Sequence, residues 1–433
     1  MTSRTLAIVV VAAVAGSAPA LRAQRAAGTQ PARGTSALQA PQPRGDSTPR
    51  APLGANALAA GPGTPAERKI ALAKEKIAGA PDHAHGFTDL ALALTQRARE
   101  TADPRYYVEA DAMVQKALEL QPNDFEALKV RTWALLGQHK FAAALELATA
   151  LNTRVPDDLM VYGMLTDANI ELGRYDEAEA SAQWMLDLRP GNIPAFTRTA
   201  YLRELFGDLE GALELMTGVM NRMPFQETED RAWVLTQIGH LELLQGRHDA
   251  AEQALQQALA LFPDYHYALG GLADVRTAQK RFREAADLQA RRYARAPHPE
   301  NLYELAEAEA RAGRSEDAAA SYRAFEKGAL AESAGDDNAN RELIAYYAGP
   351  GKKPAEALRI AEREIARRGD VYTRDAYAWA LFKNGRTADA RNEIAKVLDV
   401  GVRHPRVLEH AALIRAGAPK DTSTASETRS PRR

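Results

Sequence analysis

A small residue returns at a near-constant interval through most of the chain, at Ala110, Ala144, Ala178, Ala212, Ala251, Ala285, Ala318, Ala357 and Ala390. The successive gaps are 34, 34, 34, 39, 34, 33, 39 and 33 residues. Alanine is abundant here, so the interval carries weight only if other positions keep step, and they do. Twelve residues later stand Pro122, Pro156, Pro190, Pro224, Pro263 and Pro297, and five residues earlier stand Gly173, Gly207, Gly246, Gly313 and Gly385. Three residues before the alanine an aromatic recurs as Tyr107, Phe141, Tyr175 and Phe282. A period of this length marks a stack of small units, each too small to bury its apolar face alone, rather than a single globular core.

Each unit reads as two antiparallel helices. Alanine and leucine dominate, aromatics make up only 6%, and the Val/Ile/Thr alternation of half-buried strands is nearly absent. The recurrent alanine fits where two helices cross, since a methyl group lets the backbones approach. The glycine suits a left-handed residue ending the first helix, and the proline stops the second.

The segments GRYDEAEASAQWMLDLRPGN and GRHDAAEQALQQALALFPDY resemble the second halves of tetratricopeptide repeats. The resemblance covers Ala91 to about Pro405 as nine units, with VLEHAALIRAG from Val407 resembling a terminal capping helix. RARETADPRYY, YLRELFGDLEGA and DAYAWALFKNGR are similar to segments of secreted bacterial proteins of this family. The resemblance implies an all-α, right-handed superhelical solenoid of antiparallel helix pairs. It implies no ligand.

The two gaps of 39 mark five extra residues each, near Gln226–Arg231 and Ser333–Asp337. Both are polar and read as surface loops between repeats. The stretch from Lys327 to Asn340 keeps register least well, and a local hinge is expected there.

The ends read differently. MTSRTLAIVVVAAVAGSAPALRAQ places one Arg before an apolar run from Leu6 to Ala15 and then small residues, the pattern of a secretory signal peptide cleaved after Ala20 or Ala23. That run is about half the roughly 20 apolar residues that span a bilayer. Order is expected to begin at Thr64-Pro65-Ala66-Glu67, which can form a capping box with Pro at the first helical position. The chain thus divides into a signal peptide (1–23), a Pro/Ala/Gly-rich disordered linker (24–63), a repeat solenoid with capping helices at both ends (64–417) and a disordered tail (418–433). The expected location is periplasmic or extracellular, with no membrane insertion after cleavage.

Composition and motifs exclude several functions. Lys and Arg number 55 against 57 Asp and Glu, with no basic stripe of the kind that nucleic-acid backbones require. Cysteine is absent, which removes disulfides, thiolate metal sites, a cysteine nucleophile and a lipid-anchor cysteine. His83 and His85 beside Asp82 could approach one metal, but no further ligand stands nearby. No phosphate loop, G-x-S-x-G or H-E-x-x-H occurs, and Gly270-Gly271 falls within a repeat helix. The expectation is therefore no enzyme, no metal and no cofactor.

In the family, the ninth position of each first helix points into the concave groove. The resemblance implies Trp133, Asp167, Tyr201, His240, Asp274, Glu307, Tyr346 and Trp379 as that stripe, with Trp233 and Tyr267 among the residues one turn pair earlier. Large amphipathic side chains in a concavity are suited to recognition, although rings at these positions can equally pack between helices. The basic and asparagine set that grips a C-terminal carboxylate is missing, as Lys129 alone is basic among the fifth positions. The expected partner is a protein or peptide held in the concave face, and the alternative is a structural subunit of an envelope or secretion assembly whose convex face makes permanent contacts.

Overall fold

The computed structural model describes residues 63–417, so the expected signal peptide, most of the linker and the tail lie outside the described residues. Among the described residues all regular secondary structure is helical. A first helix, α1 (Pro65–Gly79), begins at the expected capping box: Thr64 accepts from the Glu67 amide, and Glu67 accepts from the Thr64 amide at 2.8 Å. Nine helix pairs follow. They are α2 (Ala84–Thr101) with α3 (Arg105–Leu120), α4 (Phe125–Gly137) with α5 (Phe141–Arg154), α6 (Leu159–Glu171) with α7 (Tyr175–Leu188), and α8 (Ile193–Leu205) with α9 (Leu209–Arg222). Next come α10 (Thr228–Leu244) with α11 (His248–Leu261), α12 (His266–Ala278) with α13 (Phe282–Arg295), and α14 (Pro299–Arg311) with α15 (Ser315–Glu332). The last are α16 (Asn340–Ala348) with α17 (Pro354–Arg367), and α18 (Val371–Lys383) with α19 (Thr387–Val400), before α20 (Pro405–Ala416).

The chain forms two compact units, divided between Ala339 and Asn340, which places α1–α15 in the first and α16–α20 in the second. The division falls at the end of the stretch with the weakest register. Within the first unit, helices pack against their partners and first helices against neighbouring first helices, as in α2 on α4, α4 on α6 and α6 on α8.

Local chemistry explains the hairpins. All nine recurrent alanines are buried, none more than 4% exposed, so each helix crossing is filled by backbone and methyl groups. At the end of most first helices a left-handed residue turns the chain: Gly173, Gly207, Gly246, Gly313 and Gly385 have φ between 72° and 83°. His139, Lys280 and Lys352 take the same conformation at φ 57°, 61° and 51°. A Cβ on Gly246 would meet no atom within 4 Å, so Gly246→Ala isolates the backbone cost. We expect it to lower stability by about 1 kcal/mol, read by denaturant unfolding. After the second helices, Asp124, Asp158 and Asn192 accept hydrogen bonds from the first amides of the next unit, as N-caps do.

The first insertion departs from expectation, whereas residues 333–337 of the second form the expected turn. Standard first helices such as α4, α6 and α8 have 13 residues, whereas α10 has 17. The extra residues near Gln226–Arg231 stay in a turn only at 226–227 and are helical from Thr228. They add one turn to the start of α10, because Glu229 and Asp230 favour the positive end of the helix and find a buried cation. The second insertion lengthens α15 to 18 residues and continues as a turn through residues 333–339.

Candidate functional site

The implied groove residues occupy very different surroundings. Trp133 and Trp233 are each 5% exposed. Trp133 packs among Phe141, Leu151 and Met164, and Trp233 among Phe196, Leu215 and Leu255. These rings fill the space between neighbouring repeats and are not presented to a partner. Asp167 is 1% exposed and takes Arg198 Nη2 at 2.6 Å. Burial pushes its carboxyl up to about 6 against the pull of Arg198. Arg198 reaches it by crossing Gly163, whose carbonyl accepts from Arg198 Nε at 3.0 Å. A Cβ at Gly163 would lie 2.8 Å from the guanidinium carbon, so any larger residue would push Arg198 off its present path. His240 is buried with its Nε2 3.0 Å from Glu204 Oε1. Glu307 accepts from Arg311 at 2.7 Å and from the Tyr322 hydroxyl.

Charged positions on the first helices thus mostly bind one helix to the next. Lys129 fits the same pattern, 3.0 Å from Asp158. Tyr201, Asp274 and Tyr267 are half-buried. In the second unit Tyr346 and Trp379 are half-buried, and Trp379 stacks on His410 with centroids 4.2 Å apart and planes at 6°. His410 Nδ1 in turn lies 2.9 Å from Asp375.

The densest polar cluster of the first unit joins residues far apart in sequence. Arg99, near the end of α2, is 5% exposed and donates through Nη2 to Glu229 Oε2 at 2.8 Å and Asp230 Oδ1 at 2.9 Å. Glu229 also accepts from the Tyr265 hydroxyl at 2.7 Å. Tyr265 stands at the N-cap of α12, where repeats two to four have Asp or Asn, so this repeat exchanges a cap for a bond to Glu229. Burial is the largest influence on Arg99 and opposes its charge, but Glu229 and Asp230 outweigh it and hold the guanidinium charged. Burial pushes the Glu229 carboxyl up, and neighbouring Asp230 adds to the shift.

Further contacts extend the cluster. His266 Nε2 lies 3.2 Å from the Arg99 carbonyl, His298 Nε2 meets the Ala102 carbonyl, and Lys69 of α1 reaches Glu227 at 3.0 Å. His139, in the turn after α4, lies 3.1 Å from Asp337 in the second insertion. A cavity of about 120 Å³ remains beside them, lined by Tyr107, Tyr267, Arg292, Asn301 and Glu304 among others.

Sequence reading missed Arg99, Glu229, Asp230 and Arg198. The one available signal was the acidic run Glu227–Asp230 inside an insertion, with a buried-type Arg in the first repeat. Among the described residues, no group of three or more His, Asp or Glu is placed to hold a metal. His83 stands at the N-cap position of α2 without a side-chain capping bond, and His85 is exposed near Asp89. Nor is any described helix long and apolar enough to cross a membrane.

Paired helices of 13 and 14 residues, crossing at a buried alanine and stacked in series, define a helical-repeat protein. Residues 130–193 and 242–291 match tetratricopeptide-repeat models, so the chain contains tetratricopeptide repeats. Similar solved structures include the APC/C hetero-tetramer Cut9-Hcn1, with 14% identity over 80% of this chain and 58% of that one, at a TM-score of 0.46. The chain therefore spans less than two thirds of that relative. Others are the human IFIT1 dimer with PPP-AAAA (13% identity, 76% of this chain, 90% of that one, TM-score 0.44) and a tetratricopeptide repeat protein from Parabacteroides merdae (15%, 67% and 98%, TM-score 0.35). No curated protein matches the sequence.

Proposed function

We propose that the protein is an exported, non-catalytic scaffold that holds another protein through the outer edge of its repeats. Tetratricopeptide repeats serve in protein–protein interaction or as scaffolds, and the finer reading rests on one observation. Large apolar side chains stand exposed at the ends of successive second helices: Leu120 on α3, Val155 after α5, Trp184 and Leu188 on α7, and Phe225 after α9. They stand at or near the C-terminal ends of four successive second helices. Such a row on a polar surface is characteristic of an interaction site. Trp184 is 46% and Phe225 75% exposed, which suits aromatic anchors.

The second reading, a peptide-binding adaptor using the concave face, is supported by the half-buried Tyr201, Tyr267, Asp274 and Glu307. One experiment separates the two. A partner is captured by crosslinking in the native cell envelope, and affinity is measured for Trp184→Ala with Phe225→Ala and for Tyr201→Ala. The edge reading expects the first variant to lose about thirtyfold or more in affinity with its melting temperature retained. An effect confined to Tyr201→Ala would replace it with the groove reading. Intact mass of the exported protein, beginning at Leu21 or Gln24, tests export.

A further inference from the structure

Solenoid repeats touch only their neighbours, so their shape is ordinarily the sum of small repeat-to-repeat rotations. The first unit adds contacts that bypass this rule. Arg99 and Glu229 are separated by 130 positions, His298 and Ala102 by 196. All of these contacts link the first two repeats or α1 to repeats five to seven.

Both 39-residue spacings feed the same seam. The first insertion supplies Glu227, Glu229 and Asp230, which meet Lys69 and Arg99. The second supplies Asp337, which meets His139. Two separate departures from the repeat period thus end on the same N-terminal hairpins. A coincidence of surface loops would not place an arginine and two carboxylates out of water, since such charges are costly to bury unless paired. The cavity left at the seam, about 120 Å³, is well below the roughly 300–1,000 Å³ of ordinary ligand pockets.

We infer that the two insertions are a clasp: they fasten α10 and the turn after α15 onto α2 and α4, hold the first unit as a closed turn, and bar a polypeptide segment from its inner face until the clasp releases. Arg99 Nη2 reaches both carboxylates, and the Tyr265 hydroxyl is bonded to the far oxygen of Glu229. Lys69–Glu227 and His139–Asp337 lie nearer the surface, and salt screens the first as an ion pair.

The test uses the full chain, whose lack of cysteine allows spin labels at Glu75→Cys on α1 and Gln253→Cys on α11, both exposed. The expected distance distribution is narrow with the clasp intact. In Glu229→Gln with Asp230→Asn it should broaden toward longer distances. Amide exchange in α2 and the first turn of α10 should rise at least tenfold, while α5–α7 keep their protection. An unchanged distribution overturns the inference, as does a uniform loss of protection across the unit, because the seam would then be ordinary core. If the double variant does not fold, Lys69→Ala with Asp337→Ala removes only outer contacts. Broadening in that variant supports the clasp, and an unchanged distribution overturns it.

Discussion

Trp233→Ala is expected to lower folding stability by about 3–5 kcal/mol. The ring is 5% exposed and lies in the apolar cluster that joins repeats four to six through Phe196, Leu215, Val219, Leu255 and Tyr265. Truncation would leave a cavity walled by rigid helices on several sides, with little freedom to collapse. A recognition role predicts a different pattern, loss of partner affinity with stability kept. Denaturant unfolding of wild type and variant decides between them, and a stability difference under about 1 kcal/mol would return Trp233 to the groove. Trp133, equally buried among Phe141 and Met164, should behave in the same way.

The second large effect is a pH dependence assigned to one histidine. His266 is 5% exposed, and its ring is pushed down to about 3, first by burial and then by the charge of Arg292, with His298 and Arg295 adding to the shift. In the unfolded chain the same group titrates near its ordinary value of about 6.5. Below that value the unfolded state takes up a proton that the folded state refuses, so this contribution to stability is lost as the pH falls from about 6.5 toward 3. Asp167 acts with the opposite sign: its carboxyl, raised to about 6, binds a proton more readily when folded, so acidification through that range favours the fold. The two partly cancel in the wild type. The informative quantity is therefore the stability gap between wild type and His266→Gln. From pH 7 to pH 4 that gap should move in favour of the variant by about 3 kcal/mol. Equal gaps at the two pH values would show that His266 titrates normally in the fold.

Much of the architecture was legible because repeat proteins write their fold in short-range signals. The capping box at Thr64 and Glu67, the left-handed Gly173 and Gly246, and the helix-crossing alanines each act within one hairpin or between adjacent ones. The site was much less legible. A ninth-position residue can face the interior and still be consumed by a neighbour, as Asp167 is by Arg198 and His240 by Glu204, and that outcome depends on the partner's exact reach. Gly163 illustrates the difficulty: its value lies in the passage it leaves for Arg198, which the pattern of glycines in the chain does not reveal.

The amino-acid sequence by itself determined the class of fold, the count and phase of the repeats, and the positions where length was added. Tertiary structure alone decided what the added length does. Residues 228–231 have the polarity of a loop, yet they form the first turn of α10 because Arg99, brought near by several repeats of accumulated rotation, gives Glu229 and Asp230 a buried partner. A contact across 130 positions leaves no periodic trace. It arises from the sum of many small packing angles, and that sum is set only when every hairpin has found its neighbour.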